Sequence, residues 1–231
     1  MVFGKIDYIN LLPFHVFLKK SSLPNAFKRS CEHQKDVPSA INHKLRKRKV
    51  NAAIISSIES KRSSINALNI GIIAKKNVKS VLLKEGAPKQ DPASATSNML
   101  ARVLGLEGEV FIGDRALKLF LQEPSSYIDL AQKWNDQYHL PFVFARLCVN
   151  AHQHFFHKLS KRFVQRPIKI PRYILQQYSR ERGISEHDIQ EYLKLISYTI
   201  GRKEQKALFI FLKKANRLKK PNYKEKNEPI H

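Results

Sequence analysis

Cysteine, acidic residues and long apolar runs are all scarce in this chain. Its 231 residues include two cysteines, Cys31 and Cys148. They lie far apart with no partner motif, which argues against a disulfide framework or a paired-cysteine zinc site. Both are expected to be reduced, buried thiols. No stretch reaches the roughly 18 apolar residues that a membrane span needs. Residues 1–20 could pass for an export signal, but Asp7, Asn10 and Pro13 interrupt the apolar run and no small-residue cleavage site follows. A soluble, cytoplasmic protein is the expectation. Also missing are a glycine-rich phosphate loop, a Gly-x-Ser-x-Gly elbow, internal repeats and low-complexity tracts, which removes several enzyme classes. His152, His154 and His157 form the one histidine cluster, but their spacing does not bring all three to one helical face. No metal is expected there.

The shortage of acid is uneven. Lys and Arg number 42 against 19 Asp and Glu, for a net charge of +23. Residues 1–83 hold sixteen basic and four acidic side chains, residues 84–150 seven and eight, and residues 151–231 nineteen and seven. Two basic ends around a neutral middle are what results if the ends fold together as one lobe and the middle forms another. The sharpest basic run, Lys44 to Lys49, carries no interleaved aromatics for base stacking, so a solvated helix face is favoured over nucleic-acid binding.

The remaining pattern is an alternation of strands and helices through the first two thirds, the mark of an α/β protein. Strands are expected at Val2–Asn10, Val50–Ile55, Ile70–Ile73, Lys79–Leu83, Val110–Ile112 and Pro141–Val149. Residues 13–19 are expected as a helix or turn, and helices at 38–47 and 96–104, from Gly113, and around Leu130 to Tyr138, where the spacing makes Trp134 a core residue. After Asn150 the pattern is wholly helical. Ser185 serves as an N-cap, Leu193, Ile196 and Ile200 share one face, and a last helix covers 204–218. The tail from Pro221 is polar and expected to fray.

Three features carry chemistry. The first apolar strand ends in Asn10, three residues before Pro13, which suits either turn chemistry or a function. Ser94, Thr96 and Ser97 gather hydroxyls at a helix N-terminus, where unpaired N–H groups favour a carboxylate, and one of the three serves as the cap. Ser56 and Ser57 close a doubly buried strand, where open α/β sheets usually hold their ligands. Asp114 is expected to cap the helix that follows Ile112, with a catalytic role as the alternative.

These pieces resemble, in order, the chorismate dehydratase family of the futalosine route to menaquinone, itself built like a type II periplasmic binding protein. The matching stretches are residues 4–13, 51–59, 79–83, 94–97, 112–117 and 140–145. The resemblance implies a two-lobed α/β fold with a ligand cleft and a helical C-terminal segment. Lobe one would be residues 1–83 plus 150–231, and lobe two 84–149. It also implies elimination of water from chorismate to give 3-[(1-carboxyvinyl)oxy]benzoate, without a cofactor or metal. On this reading Asn10 is catalytic, and Ser56, Ser80, Ser94, Thr96, Ser97 and Asp114 bind the substrate. Two alternatives share the fold. One is the sister enzyme forming 1,4-dihydroxy-6-naphthoate, which would need a histidine base absent from the matching stretches, and the other is a non-catalytic small-anion binder. Arg102–Glu109 is a shorter connection than relatives usually have, and Lys84-Glu85 replaces their small polar residues. Lobe two is therefore expected to be a strand short.

Overall fold

A computed structural model describes residues 1–61 and 65–219; the tail from Pro221 lies outside the described residues. Two sheets organise the chain. The larger contains β1 (Phe3–Gly4), β2 (Ala52–Ser56), β3 (Asn66–Ala74), β7 (Phe142–Val149) and β8 (Ile196–Thr199), in the order β1-β2-β7-β3-β8. The smaller places β4 (Val81–Glu85) between β5 (Gly108–Ile112) and β6 (Ile128–Asp129). Between them run α1 (Leu12–Lys20), α2 (Asn25–His33), α3 (Pro38–Arg46), α4 (Ala95–Leu104), α5 (Gly113–Gln122) and α6 (Leu130–Tyr138). The chain ends in α7 (Gln153–Val164), α8 (Arg172–Arg182), α9 (Glu186–Lys194) and α10 (Arg202–Lys219).

The apolar runs explain the centre of the larger sheet. All five residues of β2 are buried, and β7 pairs antiparallel with β2 on one side and β3 on the other. A side chain at Gly71 would place its Cβ 2.1 Å from the Ala145 carbonyl oxygen, so glycine there permits the close approach of β3 to β7. Rings fill the space beside the sheet. Phe14 meets Phe163 edge-on at 4.9 Å, and Trp134, fully buried, meets Phe142 at 5.2 Å and donates its indole N–H to the Pro141 carbonyl. Cys31 and Cys148 are buried free thiols, as expected.

Strand pairing corrects several expectations. β4, expected within lobe one, belongs to the smaller sheet, and β7, expected within lobe two, to the larger. The first strand stops at Gly4, and Ile9–Leu11 is a 3-10 turn. The segment leaves the sheet because its backbone finds partners elsewhere: Ile9 N–H donates to Asp114, and Leu11 N–H to the Tyr8 carbonyl. Helix α2 was not anticipated. Ile196 and Ile200 do not extend α9 either, because residues 196–199 form a strand against β3. Ser185 caps α9 through the Asp188 N–H.

One buried group predicts a pH effect. His15 on α1 has a side chain 9% exposed, and its Nδ1 stands 3.9 Å from an Asp7 carboxylate oxygen. Burial, reinforced by Lys5, pushes its pKa down to about 3. An unfolded histidine titrates near 6.5, so the unfolded chain takes up the proton first as pH falls. Stability is fully present above about pH 6.5 and is lost below it, by about 1.4 kcal/mol per pH unit. The buried carboxyls of Asp114 and Asp129 are raised by burial and work in the opposite sense. The contribution of His15 is therefore the difference from His15→Phe. In urea titrations at pH 7 and pH 5 the variant is expected to lose less stability on acidification; parallel losses would refute this.

Candidate functional site

Between the lobes lies a cavity of about 70 Å³, lined by Tyr8, Asn10, Ser56, Ser80, Ser94, Ser97 and Gly113 and by apolar residues that include Ile54, Ile72 and Phe144. A larger hollow, about 540 Å³, opens elsewhere between α1, α2 and α8. Polar groups from both sheets and from α4 converge only on the smaller one, so the chemistry is assigned there.

Each wall follows from local structure. Asn10 sits in the 3-10 turn, with its carbonyl accepting a 2.7 Å hydrogen bond from the Tyr198 hydroxyl. Its side chain acts electrostatically on the Tyr192 hydroxyl, whose oxygen lies 2.8 Å from the Ser80 hydroxyl. Among the described residues the Asn10 Oδ1 has no partner although it is buried. Such an acceptor costs roughly 1–3 kcal/mol when left unpaired, so it is poised for a donor from outside the chain. Burial raises the Tyr192 hydroxyl far above its ordinary range and pushes Tyr8 up to about 12, with Asp91 and Asp114 adding to the latter. Both phenols stay protonated.

The α4 tip forms the opposite wall. Ser94 is the N-cap: its Oγ accepts from Ser97 N–H at 3.2 Å and its hydroxyl donates to Ser97 Oγ at 2.8 Å. That leaves the Ser97 hydroxyl hydrogen for the cavity. Ser56 is fixed by Asn42, whose amide donates to its Oγ and accepts from its N–H.

Two of the expected substrate contacts are engaged elsewhere. Thr96 Oγ1 accepts the Ile58 N–H at 3.2 Å, tying the α4 tip to the turn after β2. Asp114 neither caps α5 nor lines the cavity. Its oxygens accept from Ile9 N–H at 2.9 Å and Arg182 Nε at 2.7 Å, and a hydroxyl-free N-cap, Ile112, precedes the helix. The Arg182 guanidinium also reaches Asp7 at 3.1 Å and stacks on Tyr178 at 4.0 Å. Sequence reasoning missed Tyr8, Asn42, Arg182, Tyr192 and Tyr198. Of these only Tyr8 lay inside a motif that had been singled out.

The chain matches the family model for menaquinone biosynthesis over residues 1–109 and 93–217. It is 49% identical over 215 residues to the chorismate dehydratase of Campylobacter jejuni, which covers 92% of this chain and 96% of that protein. The chain belongs to the menaquinone-biosynthesis family. Solved structures agree on the fold. A protein from Archaeoglobus fulgidus superposes with a TM-score of 0.69 at 11% identity, covering 94% of this chain and 96% of its own. A Candida albicans gene product described as having the generic periplasmic binding protein fold gives 0.52 at 12% identity, covering 96% and 92%. The two-lobed, periplasmic-binding-protein-like architecture of this family member is thus the expected one. Among the described residues no helix is long and apolar enough to cross a membrane.

In this family member Gly113 is a point where shape decides. Its φ is +69°, and a Cβ there would stand 2.9 Å from the Tyr8 ring. Gly113→Ala is expected to cost about 1–2 kcal/mol from backbone strain alone, plus the displacement of Tyr8 into the cavity. In urea unfolding, the loss should shrink when Tyr8→Ala is added. An equal loss in both backgrounds would remove the ring contact from the account.

Proposed function

We infer that this chain is a carbon–oxygen lyase that eliminates water from chorismate to give 3-[(1-carboxyvinyl)oxy]benzoate. Near half-identity along almost its whole length to a curated chorismate dehydratase supports the substrate. The observation that carries the mechanism is the Asn10 Oδ1, unpartnered among the described residues, in a cavity whose described lining holds no charged side chain. The substrate's ring hydroxyl donates to this oxygen and is fixed beside the Ser80 and Tyr192 hydroxyls.

One substrate carboxylate sits at the α4 tip, where the helix dipole, N-terminal N–H groups and the Ser97 hydroxyl favour it. The other lies toward Ser56 and Ser80. Among the described residues the lining has no histidine, lysine, aspartate or glutamate, so the base is the substrate's own enolpyruvyl carboxylate. The same lining disfavours the sister reaction, which would need a histidine. The carboxylate removes the proton from the ether-bearing ring carbon, and that C–H electron pair becomes the new ring double bond. The adjacent C–O bond breaks, and the departing hydroxide recovers the proton to leave as water. Aromatisation drives the step, so the protein has mainly to orient and desolvate. At about 70 Å³ the cavity is small for such a ligand, so the lobes part for entry and close for reaction.

Mixing the protein with chorismate and following the ultraviolet spectrum tests this reading. The aromatic enol-ether benzoate is expected to appear stoichiometrically as chorismate disappears. Binding of chorismate without its consumption would make the chain a small-anion binder instead.

A further inference from the structure

The hollow of about 540 Å³ between α1, α2 and α8 plays no part in the reaction above, yet it has the size and lining of a ligand site. Its floor is apolar, from Leu12, Val16 and Ile174, with the buried Tyr178 on one side. The His15 imidazole lines it with both ring nitrogens buried and, among the described residues, without a hydrogen-bond partner. A neutral imidazole carries one N–H donor and one acceptor, and leaving both unmatched is costly unless something else enters.

The charge around the mouth says what that something is. Lys5 is matched by Glu32 at 2.7 Å and Lys35 by Asp7 at 2.6 Å, while Glu181 is held by Arg182 at 2.8 Å. That leaves Lys19, Lys28 and Arg29 on the rim without an opposing carboxylate among the described residues. An apolar floor, a buried donor and a basic rim together select an amphipathic anion.

We propose that this hollow is a second ligand site, separate from the chorismate cleft, which binds a small carboxylate with a flat apolar body. The carboxylate accepts from the His15 N–H and lies under the field of Lys19 and Arg29, and the ring body covers Val16 and Ile174 beside Tyr178. The site does not depend on the dehydratase reading, because its occupancy is measured without turnover.

Isothermal titration with 2-naphthoate at pH 7 and low salt tests it. The wild type is expected to bind saturably. The doubly charge-reversed Lys19→Glu, Arg29→Glu protein should bind at least tenfold more weakly while keeping its unfolding midpoint and its chorismate turnover. Both altered side chains are exposed and remote from the cleft lining. Naphthalene-2-carboxamide, of the same shape but uncharged, should also bind at least tenfold more weakly than the acid. Absence of saturable binding, equal affinity for acid and amide, or unchanged affinity in the charge-reversed protein would each overturn the proposal. The last result would put the naphthoate somewhere other than this hollow.

Discussion

Asn10→Ala is expected to reduce kcat for chorismate by at least about 100-fold, or about 2.7 kcal/mol of transition-state stabilisation, while leaving the unfolding midpoint almost unchanged. Stability is spared because the Asn10 backbone, not its side chain, carries the Tyr198 bond, and Ile9 beside it is held by Asp114. The side chain has two tasks. Its amide favours the Tyr192 hydroxyl electrostatically, and its Oδ1 is the unpartnered acceptor at the cavity. Alanine removes both, and a substrate hydroxyl misplaced by even an ångström loses alignment with the breaking C–H bond. Asn10→Asp should be at least as poor, since a new negative charge would face a dicarboxylate in an apolar enclosure. Tyr192→Phe should cost less, because Asn10 keeps its acceptor. Stopped-flow ultraviolet absorbance with circular dichroism as the folding control reads all three. Near-normal turnover by the alanine variant would take Asn10 out of the mechanism.

Much of this arrangement is legible in the sequence, and what is not has a common cause. The doubly buried β2 announces itself as an unbroken apolar run, and Ser94 stands where a cap must stand. Asn10 and the α4 hydroxyls could be singled out because each lies at the end of a periodic segment. The partners that complete them come from far along the chain. Ser80 meets Tyr192 112 residues later, and Asn10 meets Tyr198 188 residues later. Nothing local distinguishes either tyrosine from its neighbours, and Ile196 and Ile200 continue the helical spacing of Leu193. Only pairing with β3 turns that stretch into a strand. Asp114 misled for the same reason. Its position before a helix fits a cap, whereas its oxygens are claimed by an N–H 105 residues upstream and an arginine 68 residues downstream.

That long-range cluster supports the second large prediction. Arg182→Ala is expected to destabilise the fold by about 3–5 kcal/mol, the range for removing one partner of a buried ion pair. Arg182 is 12% exposed at the side chain and lies against Asp7 and Asp114, which are 15% and 17% exposed. Asp7 keeps Lys35 and Tyr178; Asp114 keeps only the Ile9 N–H among the described residues. Burial already raises the Asp114 carboxyl despite its bonds to Ile9 and Arg182, and loss of the guanidinium would raise it further. A folded-state pKa above the unfolded value means that the folded chain binds the proton more tightly. The Arg182→Ala deficit should therefore be largest near neutral pH and shrink as pH falls toward the unfolded carboxyl value of about 3.9. Adding Asp114→Asn removes the charge but keeps an acceptor for Ile9, so the double variant should recover part of the loss. Because Ile9 precedes Asn10, the single variant should also lose turnover under conditions where it remains folded. Urea titrations of wild type, both singles and the double at pH 7 and 5 decide the matter. A deficit independent of pH, with no rescue by Asp114→Asn, would mean that the arginine acts by packing on Tyr178 and not through charge.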